Sequence, residues 1–177
     1  IRRIQKQTGI TTVFVTHDQE EAMSISDSIV LMKDGVLIQK GLSLDLYNNP
    51  NCSFVSEFLG NPPVNRIKNT SDFLDYALKS QILPKDYEKF LSKNVFFEIR
   101  PECFKISQNK NAVKCKILRI SRMGKEELAY LDFFGQEVCA ILQNEEELSI
   151  GDEIFVEFKK KGLFVFDAIT ENRVEVE

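Results

Sequence analysis

The Asn61-Pro62-Pro63 run restricts the fold more than any other feature of the sequence. Two successive prolines fix φ and remove two backbone donors, so neither a helix nor a central strand can pass through them. The sequence therefore divides into residues 1–60 and 61–177, and the two stretches carry different patterns.

In the first stretch, Ile1-Arg2-Arg3-Ile4-Gln5-Lys6-Gln7-Thr8 combines helix formers with apolar residues at i and i+3, and Gly9 suits a C-terminal cap. Eight residues fall short of the roughly 12–15 that an isolated helix needs. No cap precedes Ile1 and there is no initiating Met, so we expect residues ahead of it. Residues 10–16 are β-branched and apolar without alternation, the pattern of a strand buried on both faces in a parallel sheet. Such a strand needs neighbours, and residues 1–60 offer no second run of that quality except 28–32. Without them residues 1–60 should be poorly supported in isolation, or shielded by another chain. Asp18-Gln19-Glu20-Glu21 fits a reciprocal capping box, opening a helix to about Ser26. Gln19 and Glu20 read as solvated first-turn residues that suit the helix dipole. Residues 27–41 read as a hairpin turning at Asp34-Gly35. Short amphipathic helices are expected at 44–47 and 54–59. Helix, buried strand and helix together are an α/β signature.

Beyond the prolines the pattern changes. Helical turns are expected at 72–79 and 84–91, then short strands at 95–100, 112–122, 126–134, 137–142, 153–159 and 163–167, with a weaker one at 169–176. Gly124, Gly135, Gly151-Asp152 and Gly162 mark the turns. Short strands with regular turns predict a small, all-β, OB-like barrel. With 43% apolar residues the chain has material for a core. Its phenylalanines (Phe96, Phe97, Phe133, Phe134, Phe155, Phe158, Phe164 and Phe166) read as barrel core plus dimer contact. A base-stacking platform is the lesser reading. Glu126, Glu127, Asp132, Glu137 and the run Glu145-Glu146-Glu147 would repel a phosphate backbone. The net charge of −4 divides evenly, so neither stretch is a basic arm and no nucleic-acid partner is expected. No run is long enough to span a membrane. The four cysteines form no C-x-x-C pair, and the single histidine excludes a histidine cluster within one chain. No metal is expected.

That single histidine, His17, follows the apolar run and precedes the capped helix. In open α/β sheets ligands gather beyond the carboxyl ends of strands. An imidazole there can donate to a phosphate oxygen or hold an attacking water. Position alone favours a histidine that only caps or packs.

The wider sequence weighs differently. Thr12-Val13-Phe14-Val15-Thr16-His17-Asp18-Gln19-Glu20-Glu21-Ala22-Met23, followed by Ser26-Asp27-Ser28-Ile29-Val30-Leu31-Met32-Lys33-Asp34-Gly35, resembles the switch-histidine region of ABC transporter ATPases. Ile38-Gln39-Lys40-Gly41, Tyr47-Asn48-Asn49-Pro50 and Phe54-Val55-Ser56-Glu57-Phe58-Leu59-Gly60 resemble the importer branch with a C-terminal regulatory (TOBE) domain. Asn61-Pro62-Pro63-Val64-Asn65, Ile99-Arg100-Pro101-Glu102 and Gly151-Asp152-Glu153-Ile154-Phe155-Val156 agree. Phe166-Asp167 with Thr170 and Arg173 resembles the tail of the maltose-type, sugar-importing group. Ser43 stands where the family usually has proline, a change expected to matter little because serine caps well. Residues 66–94 match no pattern of the family.

The resemblance implies an α/β remnant at 1–60, the end of an ABC-type nucleotide-binding domain, and a regulatory OB-like domain at 61–177. It makes His17 the catalytic switch histidine, in contact with the γ-phosphate. It implies ATP and Mg2+ in the intact subunit, a second ATPase subunit as homodimer partner, membrane-embedded permease subunits, and a place on the inner face of the cell membrane. Asp18 and Glu21 are left to the helix cap. Sugars are the implied cargo; polyamine, ferric iron or anion import is the alternative, as is a stand-alone regulatory binding module. The chain holds no G-x-x-x-x-G-K-[ST] loop, signature segment, glutamine loop or apolar strand ending in Asp-Glu. Phosphoryl transfer depends on the metal and the phosphate cradle. The 177 residues alone are therefore expected neither to bind ATP tightly nor to hydrolyse it.

Overall fold

A computed structural model describes residues 1–83, 94–109, 111–123, 126–142 and 147–174. Helix α1 (Arg2–Thr8) ends as its sequence dictates: Gly9 adopts φ 66° and its N–H donates to the Gln5 carbonyl. Residues 10–16 do not form the expected strand. They carry no regular secondary structure, and Val13 and Val15 are 87% and 90% exposed. A strand's backbone groups need a neighbour to pair with. The one other apolar run nearby is taken by its own hairpin, β1 (Ile29–Lys33) with β2 (Val36–Gly41). Asp34 and Gly35, at φ 51° and 78°, make the two-residue turn that matches the twist of the strands.

Helix α2 (Gln19–Ile25), α3 (Ser43–Asn48) and α4 (Ser53–Phe58) surround this hairpin. Ile29, Leu31, Leu46, Val55 and Leu59 form a small core, with Ala22 and Met23 packed against it. Ser43 is not the cap expected of it. Leu42 holds the N-cap position without a side-chain bond, and Ser43 is the first helical residue. That is the position where a proline loses nothing, because its missing donor would have no intrahelical partner anyway.

The remaining strands are β3 (Asn65–Lys68), β4 (Val95–Ile99), β5 (Phe104–Ile106), β6 (Val113–Met123), β7 (Glu126–Phe133), β8 (Gln136–Leu142), β9 (Glu153–Phe158) and β10 (Leu163–Asp167). They pair antiparallel in two sheets, ordered β10-β4-β3 and β5-β9-β6-β7-β8. The result is a curled all-β unit following a small α/β part. Helix α5 (Ser71–Lys79), capped by the Thr70 hydroxyl accepting from Phe73 N–H, closes one side. Phe73 is fully buried among Phe97, Phe133 and Phe158. Phe96, Phe164 and Phe166 form a separate buried cluster, while Phe155 is exposed. The phenylalanines are thus mainly core.

Two strands were not expected, β3 with a single strong apolar residue and β5 with three residues. The weak strand expected at 169–176 is absent among the described residues: Asp167 Oδ1 accepts from the N–H groups of Ile169 and Thr170 and turns the chain. Only isolated bridges follow, Phe166 with Arg173 and Cys52 with Asn172. The helical turn expected at 84–91 and the turn at Gly124 lie outside the described residues.

Side chains join the two sheets. Asn65, on β3, donates from Nδ2 to the carbonyls of Ile99 (3.1 Å) and Cys139 (2.7 Å) and accepts at Oδ1 from Cys139 N–H (2.6 Å). Gln136 Oε1 accepts from Lys68 N–H at 2.8 Å. An amide side chain here does the work of a strand pair. Asn65→Ala is expected to destabilise the chain by about 2 kcal/mol, since it leaves buried backbone groups without partners. Urea denaturation will read that loss, and a change within the error of the measurement would contradict it.

Candidate functional site

His17 lies at the end of the irregular segment 10–16, and its side chain is exposed. The backbone on both sides of it is held. Asp18 caps α2 by accepting from Glu21 N–H at 3.0 Å. The return bond of the capping box is not made directly. Instead the Thr16 hydroxyl accepts from Asp18 N–H (3.0 Å) and donates to Glu21 Oε2 (3.1 Å), so a threonine stands between the two halves of the box. His17 is presented between two tied residues.

Gln19 and Glu20 are not merely solvated, as their first-turn positions led us to expect. The Gln19 amide pairs with the backbone of Gly60: Gly60 N–H donates to Oε1 at 2.6 Å, and Nε2 donates to the Gly60 carbonyl at 3.4 Å. Asn61 Nδ2 donates to Glu20 Oε1 at 2.9 Å. At the other end of α2, Arg2 donates to the Ile25 carbonyl at 2.8 Å and pairs with Asp27 at 3.3 Å. These contacts matter because α2 contains no buried residue.

Behind Gly60 lies a buried cation. Arg100, next after β4, is 1% exposed. Its Nη1 donates to the carbonyls of Ser56 (3.0 Å) and Leu59, and its Nη2 donates to the Tyr47 carbonyl at 3.0 Å. The guanidinium lies 3.8 Å from the centre of the Tyr47 ring. Burial lowers the Arg100 pKa from its usual value, and the neighbouring Tyr47, Glu102 and Glu98 act in the opposite sense. Arginine remains charged under such a shift. The Tyr47 hydroxyl bonds Glu102, and burial raises its pKa.

Glu98, on β4, is fully buried against α4. Ser53 Oγ donates to its Oε1 at 2.5 Å, while among the described residues Oε2 and the Ser56 hydroxyl find no hydrogen-bond partner. Burial pushes the Glu98 carboxyl up to about 7; the nearby Ser53 and Ser56 hydroxyls and Arg66 pull it back, and Glu57 adds to the rise. The tail reaches the same place. Ser53 N–H donates to the Glu171 carbonyl (3.0 Å) and Arg173 N–H to the Asn51 carbonyl (2.8 Å).

The sequence reading missed Gln19, Glu98 and Arg100 as parts of one junction. A usable signal existed: Val95-Phe96-Phe97-Glu98-Ile99-Arg100 places two charges in an otherwise apolar strand, which asks for specific buried partners. Among the described residues, no group of three or more His, Cys, Asp or Glu side chains could hold a metal ion. No described helix is long and apolar enough to cross a membrane.

Residues 98–166, running from β4 to β10, match the TOBE domain family. The curled all-β unit is a TOBE domain. Along nearly its whole length the chain is similar to ABC transporter ATP-binding proteins. It is 35% identical to a putative ABC transporter ATP-binding protein, MG187, of Mycoplasma genitalium, over 99% of this chain and 30% of that protein. It is 31% identical to the trehalose/maltose import ATP-binding protein MalK of Thermococcus litoralis, over 96% of this chain and 50% of the relative. With the sn-glycerol-3-phosphate import ATP-binding protein UgpC of Psychromonas ingrahamii it shares 28% identity, over the whole chain and 50% of that protein. The chain thus spans half or less of the length of these relatives.

Proposed function

We propose that this chain is the C-terminal portion of the ATP-hydrolysing subunit of an ABC importer, with the end of the ATPase domain at 1–60 and a regulatory domain at 61–177. The observation that carries this reading is the His17 loop: an exposed imidazole between Thr16 and Asp18, each tied by hydrogen bonds to the first turn of α2. ATP with Mg2+ supplies the phosphoryl group in such subunits. The part this chain contributes is one imidazole, which would donate to a γ-phosphate oxygen or accept from the attacking water without a large reorganisation of its own backbone. The subunit would act as a pair, with a second copy completing each nucleotide site, docked on permease subunits at the inner face of the membrane.

Sugars are the cargo that this reading favours, in keeping with the trehalose/maltose relative. The sn-glycerol-3-phosphate relative keeps an anionic cargo as the second reading. In the complete subunit, His17→Ala is expected to lower kcat for ATP on the order of 10²-fold or more. The 177-residue chain alone is expected to show no Mg2+-dependent ATPase activity. Activity in the isolated chain that His17→Ala abolishes would overturn that expectation, and an unaltered kcat in the complete subunit would remove His17 from the chemistry.

A further inference from the structure

Helix α2 has no fully buried residue and meets the small core only through the half-buried side chains on one face, Ala22 and Met23 among them, so its tethers carry a large share of its placement. At its N-terminal end those tethers go to Gly60 and Asn61, where the chain passes into the TOBE unit. The peptide between Leu59 and Gly60 is gripped from both sides. Its carbonyl accepts from Arg100, which extends from β4, and its N–H donates to Gln19. A peptide group is planar and stiff, so a displacement at one edge tilts the other. No room exists for the bond to slip past: a Cβ on Gly60 would lie 2.6 Å from Arg100 Nη1 and 3.2 Å from the Pro62 carbonyl oxygen. From Gln19 the backbone runs through Asp18 to His17, and Thr16 locks that turn.

We propose that Gln19 is a positioning residue, whose clasp on the Leu59–Gly60 peptide, with Arg100 on its far side, ties the setting of the His17 loop to the position of the TOBE unit. This rests on the reading of His17 given above only for its consequence in catalysis; the mechanical link stands on the contacts themselves. A shift of β4 relative to α4 moves the gripped peptide, and α2, which meets the small core through the half-buried Ala22 and Met23 and no fully buried residue, is drawn with it.

The test has two arms. In this chain, amide hydrogen exchange is measured for Gln19→Ala and Gly60→Ala. Both are expected to raise exchange of the amides of Ala22 and Ser26 about tenfold while leaving the β6–β7 amides unchanged. Gly60→Ala makes no contact with α2 side chains other than through this clasp. If it leaves α2 exchange at the wild-type rate, the link is overturned; so is it if Gln19→Ala has no effect there. In the complete subunit, Gln19→Ala is expected to lower kcat about tenfold with the KM for ATP unchanged. Gln19→Glu keeps the acceptor for Gly60 N–H and should recover most of that loss. A kcat unaffected by Gln19→Ala in a subunit where His17→Ala is inactive overturns the positioning role. Should His17→Ala itself leave kcat intact, the reading of His17 falls, and the exchange arm still decides the clasp.

Discussion

Arg100→Met is expected to destabilise the chain by about 3–5 kcal/mol. The methionine would fill much of the space, so the cost comes from the acceptors left behind. The carbonyls of Ser56, Leu59 and Tyr47 all take hydrogen bonds from this one guanidinium. Each buried acceptor left unsatisfied costs roughly 1–3 kcal/mol, and the three do not add because they share a donor. The face of the Tyr47 ring loses its cation as well. Arg100→Lys should recover little, since a single ammonium cannot reach three diverging carbonyls or stack on a ring. The midpoint of urea denaturation will report both variants. A shift of less than about 1 kcal/mol for Arg100→Met would mean that water replaces the guanidinium at this junction.

The second large effect is a dependence on pH that Glu98→Gln removes. The Glu98 carboxyl holds its proton up to about pH 7 in the folded chain, against a reference of 4.5. Between those values the folded state binds more protons than the unfolded one. Stability from this group is therefore complete below the lower value, falls as the pH rises through the window, and is gone above about 7. The shift corresponds to something on the order of 3 kcal/mol. Glutamine keeps an acceptor for Ser53 Oγ and offers a donor to the Ser56 hydroxyl, which has no partner among the described residues. Glu98→Gln should therefore exceed the wild type in stability at pH 8, and the gap should close as the pH is lowered towards 4.5. Denaturation across that range, compared between the two proteins, provides the measurement. A constant difference at every pH would show that Glu98 titrates normally.

Local signals explain what could be read from the sequence. The cap at Asp18, the Asp34-Gly35 turn and the strands from β6 to β10 each announce themselves within a few residues, through capping, positive φ or glycine-marked turns. Residues 10–16 misled for an opposite reason. Their composition states a preference for burial between strands, and no described strand satisfies it, so Val13 and Val15 stand exposed. β3 escaped notice because its worth lies in Asn65, a polar residue whose three bonds reach 34 and 74 positions along the chain. The same holds for the site. His17 is singled out as a candidate by its neighbours in sequence, whereas Gln19 looked like any first-turn residue until Gly60, 41 positions away, came beside it. Arg100 was visible as part of a motif, but its three carbonyl partners were not.

The tail gives the TOBE unit a second attachment. The chain enters the unit at Gly60 and returns through Asn172 and Arg173 to bond the start of α4. A body hung from one strap can swing and twist freely. One fastened at two separated points keeps, at most, rotation about the line between them. The Arg100 and Glu98 contacts buried between those two points resist even that rotation, so a force on the TOBE unit reaches the helical part as a load on the whole junction.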